Sequence, residues 1–143
     1  MSSEEIYSQL EQIAQSTDFA HESGELVRQW ESKPAGSEIL KTVFRFMESH
    51  PDLDFGAPGP LVHFLEDFSG KGYEECLIES VQKQPIPHTV WMLNRAINGA
   101  SSQEERTSLL TLLGGIAEDP KASKVTKEEA IDFIKFQVRK GAS

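Results

Sequence analysis

The side chains with chemical potential are few and scattered. The chain holds four histidines, His21, His50, His63 and His88, and one cysteine, Cys76. A zinc site draws on His and Cys at short fixed spacings, because a tetrahedral ion needs ligands that one or two elements deliver together. The sequence contains no HExxH, no CxxC and no Cys–His pair at such a spacing. The one cluster of metal-ligand types is His50-Pro51-Asp52-Leu53-Asp54. Measured from Asp52 as the first ligand of a calcium loop, the glycine is out of place and the closing position holds His63 instead of glutamate. The segment reads as a solvated acidic turn, and no metal is expected.

Other reactive patterns fail for similar physical reasons. Gly56-Ala57-Pro58-Gly59-Pro60 precedes a helix start, where backbone N–H groups can hold an anion. It lacks the phosphate-binding lysine and serine, follows no strand, and has acids just upstream, so it reads as a rigid turn. Cys76 lies among Glu74, Glu75 and Glu79, whose charge opposes thiolate formation. It reads as a core or boundary thiol, and a lone cysteine allows no intrachain disulfide. No GxSxG elbow occurs. Glu66-Asp67 and Glu74-Glu75 are adjacent acids, a pattern of solvated faces more than of a shared acid–base pocket. The reading is a protein with no catalytic residues and no cofactor.

Charge points toward binding. The net charge is −9, with 13 acids against 4 bases in residues 1–70 and 10 against 10 in residues 71–143. The excess thus sits in the front half, where it repels nucleic acid and anionic membrane and attracts a basic protein. The same acids also serve solubility. Residues 1–5 lack the basic start and apolar run of a signal peptide, and no stretch approaches a membrane span in length, so a cytosolic location is the expectation.

The elements that must carry these groups are helices. At 143 residues the chain has the size of one domain, and the expectation is a single all-α domain over 1–143. Apolar positions recur at helical spacing over about 3–16, with Ser2 and Glu5 as a capping box, and over about 22–31. Lys33-Pro34-Ala35-Gly36 breaks the chain. Ser37 caps a third helix striped by Ile39, Leu40, Val43, Phe44 and Met47, which stops near Ser49 ahead of Pro51. Pro60 opens a fourth, ended by Ser69-Gly70-Lys71-Gly72. Further helices follow over about 73–83, 88–97 and 103–117, the last capped by Ser102 with Glu105. The eighth runs over about 127–139, with Thr126 and Glu129 as its cap and Ala130, Ile131, Phe133, Ile134 and Val138 inward. Short breaks make consecutive helices antiparallel. Seven to eight such helices form either stacked hairpins, as in a short HEAT-like α-solenoid, or an irregular bundle.

In the sixth helix Trp91 and Asn94 share one face, while Val90, Leu93, Ala96 and Ile97 face inward. Trp91 fills a groove between hairpins, with Asn94 and Arg95 bonding to loops, or it anchors an interface, where Trp and Arg concentrate binding energy.

Gly59-Pro60-Leu61-Val62-His63-Phe64-Leu65-Glu66, Tyr73-Glu74-Glu75 and Pro87-His88-Thr89-Val90-Trp91-Met92-Leu93-Asn94-Arg95 with Ile97-Asn98-Gly99 together carry a resemblance. Over residues 36–117 the chain resembles small all-helical bacterial immunity-like proteins encoded beside polymorphic or contact-dependent toxins. The resemblance implies a cytosolic antidote that binds and neutralises a cognate toxin domain, without cofactor or catalytic residue. It implies that Gly59, Pro60, Pro87 and Trp91 hold the fold. A toxin that attacks nucleic acid carries a basic cleft, which an acidic protein can occlude. The surface expected to do so comprises Glu48, Asp52, Asp54, Glu66 and Asp67, with Glu31 and Glu38 as secondary candidates. The alternative is a non-catalytic helical scaffold or adaptor that binds an endogenous protein or peptide in a groove.

Overall fold

The computed structural model describes residues 2–32, 38–56 and 58–142. Those residues form eight helices and no strand, so the chain is all-α. The helices are α1 (Ser3–Ile13), α2 (Phe19–Glu31), α3 (Glu38–Ser49), α4 (Pro60–Glu66), α5 (Tyr73–Lys83), α6 (Pro87–Asn98), α7 (Gln103–Ile116) and α8 (Lys124–Ala142). They group into two compact units, Met1–Cys76 and Leu77–Ser143, with the division inside α5.

In the first unit Ser2 caps α1, its Oγ accepting the Glu5 N–H at 3.2 Å. It ends at Ile13, three residues before the expected Ser16, because Asp18 claims the next turn. Asp18 Oδ1 accepts the His21 N–H at 3.3 Å and so starts α2 at Phe19 instead of Glu22. Asp18 is a strong cap, and burying Phe19 rewards the earlier start. The expected break at Lys33-Pro34-Ala35-Gly36 and the Ser37 cap lie outside the described residues. All five residues of the α3 stripe are buried, and Thr42 and Phe46 join them.

Contacts within this unit fix its topology. Ser3 bonds Glu38 at the starts of α1 and α3, and Glu11 meets His50 at their ends, so these helices run parallel. Gly24 lies against Pro60, and the Trp30 ring is 5.5 Å from that of Phe64, so α2 and α4 run parallel as well. Alternate helices of this unit thus lie side by side and parallel, α1 with α3 and α2 with α4.

In the second unit α6, α7 and α8 each pack on the other two. Gln137 is 1 % exposed and joins all three. Its Nε2 donates to Asn94 Oδ1 at 2.7 Å and to Asn98 Oδ1 at 2.9 Å. Arg106 donates to its side-chain oxygen at 2.9 Å and to its backbone oxygen at 3.3 Å. With Lys140 on Asn98, this sets α6 parallel to α8 and α7 antiparallel to it. Asn94 thus bonds a helix, not a loop.

The last helix departs from expectation at both its start and its face. Ser123 is the cap: its Oγ accepts the Thr126 N–H at 3.1 Å, so α8 begins at Lys124 and Thr126 is an interior residue, 1 % exposed. The inward face holds Thr126, Ala130 and Gln137, whereas Ile131 and Val138 are 41 % and 64 % exposed. Four hydrogen bonds on Gln137 turn its side of the helix inward, each with a net value of about 1 kcal/mol. Ranking positions by hydrophobicity alone misplaces that face.

A candidate protein-interaction surface on the first unit

Residues 1–76 carry 15 acids against 5 bases, a balance of −10, while residues 77–143 carry 8 against 9, a balance of +1. The negative charge of the chain is thus concentrated in the first unit. Two of its basic groups are engaged locally: Arg28 pairs with Glu25, and the Arg45 guanidinium lies 4.6 Å above the Tyr7 ring.

The loop between α3 and α4 presents the first group of acids. Phe55 is fully buried, packed edge-on against Phe19 and Phe46 at 5.8 and 6.2 Å, and it pins the loop to the core. Asp54 Oδ1 accepts the Gly56 N–H at 2.9 Å, and Gly56 takes φ +91°, a left-handed conformation that disfavours any side chain. A Cβ at Gly59 would lie 1.9 Å from the Phe55 carbonyl oxygen, so the chain passes here only as glycine. Leu53 and His50 close the preceding turn through a backbone bond of 3.1 Å. Asp52 and Asp54 are therefore exposed on a braced backbone, and Glu48 stands half-buried in the last turn of α3.

Glu66 and Asp67 lie elsewhere. They are at the far end of α4, whose seven residues span roughly 10 Å. Glu66 is half-buried with His63 4.0 Å away, and Asp67 is exposed. Because α2 and α4 run parallel, Glu31 shares this end. Asp18 and Glu22, at the start of α2, share the other end with Asp52 and Asp54, since Phe19 touches Phe55. The five expected residues thus form two groups along the α2–α4 pair. Asp18 and Glu22 extend the loop group, and only the Phe19–Phe55 contact, invisible in the sequence, reveals it. Glu38 is apart from both, exposed at the start of α3 and accepting from Ser3 at 3.2 Å.

The titratable groups are dispersed. His21, His50 and His63 each stand beside a different carboxylate, Glu25, Glu11 and Glu66. Among the described residues no three His, Cys, Asp or Glu side chains gather where they could hold a metal ion. Among them, too, no helix is long and apolar enough to cross a membrane. Cys76 is half-buried. In the second unit the Ser101 hydroxyl and N–H both donate to Glu105 and hold its carboxyl below the usual range. Trp91 is half-buried on α6, with the His88 ring 5.1 Å from its own and the Arg95 guanidinium 5.1 Å above it.

What this arrangement offers a ligand is fixed negative charge. Comparison with protein-family models, curated proteins and solved structures found no match to the chain.

Proposed function

We propose that this chain is an immunity-type protein that binds a cognate bacterial toxin domain and neutralises it by occlusion through the acidic surface of its first unit. The observation that carries the reading is the concentration of charge, −10 within residues 1–76, with Asp52 and Asp54 held outward on a loop anchored by Phe55. A partner that acts on nucleic acid carries basic residues arranged for phosphates. Carboxylates on a rigid loop can occupy such a cleft without much ordering cost on binding. The role needs no catalysis and no cofactor, and a cytosolic location belongs to the same proposal.

Co-expression with the toxin domain encoded beside its gene tests the reading. The chain is expected to restore growth and to form a 1:1 complex whose association slows as salt rises. Asp52→Lys is the cleaner charge reversal, since Asp54 also closes the turn through Gly56. Reversal at a desolvated charge pair is expected to weaken binding by about 2–5 kcal/mol. No rescue and no complex would sink the proposal.

A helical adaptor is the second reading. The parallel pairing of alternate helices in the first unit, α1 with α3 and α2 with α4, favours it, because helices aligned side by side present extended surfaces to peptides. Affinity that ignores salt and every acidic substitution would favour the adaptor over the antidote.

A further inference from the structure

One flank of α8, beside the face buried in the unit, has a regular pattern. Positions 124, 127, 131, 134 and 138 are spaced alternately by three and four residues, the repeat of a helix–helix seam. The residues are Lys124, Lys127, Ile131, Ile134 and Val138. Ile131 and Val138 are 41 % and 64 % exposed, Ile134 is half-buried, and the Lys124 side chain is 91 % exposed. On one border of this seam stand Ala130 and Gln137, both buried within the unit. The other border carries the exposed Lys135 and the exposed Glu128, whose carboxylate is 4.0 Å from Lys124 of its own helix, a solvated pair that a second copy can exchange for its own.

We infer that this seam is a self-association surface on which α8 of a second copy packs antiparallel. The charge pattern selects that occupant. Glu128 and Lys135 lie equally far on either side of the point between Ile131 and Asp132. An antiparallel pairing about that point sets Glu128 of each copy beside Lys135 of the other, two opposite-charge pairs at once. Ile131 then meets its counterpart at the centre, and Ile134 of each copy packs beside Ile131 of the other. The aliphatic stems of Lys124 and Lys127 cover Val138 of the other copy while their ammonium groups reach solvent. The contact is isologous, the geometry that closes a dimer and stops there. It is also small, limited to one helix flank, well below the area of a standard interface, so the dimer is weak and forms at about 0.1–1 mM protein. This inference is independent of the toxin reading, which concerns the first unit.

Sedimentation velocity on the full chain from about 10 µM to 1 mM tests it. The wild type is expected to shift from monomer to dimer across that range. Ile131→Asp and Val138→Asp are expected to remain monomeric with unchanged helical circular dichroism, since both side chains already face solvent. Phe136→Asp is the control: Phe136 is 46 % exposed but lies on the opposite flank of α8, and its substitution is expected to leave the dimer intact. Glu128→Lys is expected to weaken association about fivefold, and adding Lys135→Glu to restore it. A monomer at 1 mM would overturn the inference and leave the seam to another protein. Dimers that survive Ile131→Asp, or that the Phe136 substitution abolishes, would overturn it equally.

Discussion

Replacing Phe55 by alanine probes the brace under the acidic loop. The side chain is fully buried and contacts the rings of Phe19 and Phe46. Truncation to alanine removes roughly 130 Å² of buried apolar surface, worth about 3 kcal/mol at 25 cal/mol per Å². The cavity and the two lost ring contacts add to this, which places the total near 4 kcal/mol. Urea unfolding followed by circular dichroism is the assay. With a slope of about 2 kcal/mol per M, the midpoint falls by about 2 M. Phe136→Ala, at a half-solvated site, is expected to lose about 1 kcal/mol or less. Hydrogen exchange at the Gly56 amide, bonded to Asp54, is expected to accelerate in the Phe55 variant under native conditions. A loss under about 1.5 kcal/mol, or equal losses at Phe55 and Phe136, would refute the claim that the loop is pinned from below.

Further outcomes follow from single contacts. Gly59→Ala is expected to destabilise by more than about 2 kcal/mol in the same unfolding assay, because its Cβ meets the Phe55 carbonyl. Gly114→Ala, in the body of α7 with open space around the added carbon, is expected to raise stability by about 0.5–1 kcal/mol; a loss there would contradict the α7 assignment. Gln137→Ala is expected to cost about 2–4 kcal/mol, since it removes the bond to buried Asn94 and one of the two bonds each of Asn98 and Arg106, and thermal melts would reveal it. Glu105 has a carboxyl pKa lowered by its Ser101 bonds, so its contribution is present above the ordinary glutamate range and is lost as pH falls through the lowered folded value. Ser101→Ala is expected to move its titration upward, as read by NMR of the side-chain carbon; an unmoved titration would remove the Ser101 hydroxyl as the leading cause.

What the sequence disclosed and what it hid divide along physical lines. Helices announced by a repeating apolar stripe, such as α3 and α5, and starts marked by Pro60 or Ser102 were legible because local chemistry decides them. Phe19 and Phe55 were not, since each is an aromatic outside any periodic run whose burial depends on the other. Gln137 was hidden for a different reason. Its place in the core follows from amides and a guanidinium on α6 and α7, which no pattern within α8 reports. The candidate acids could be named singly, but their partition into two groups comes from the parallel course of α2 and α4.

That parallel stacking also bears on how the chain acquires its structure. The main helix pairs within each unit join elements one or two places apart along the sequence, so the loops that must close are short and their entropic cost is small. Topologies of this kind reach the native state in microseconds to milliseconds, ahead of most competing aggregation.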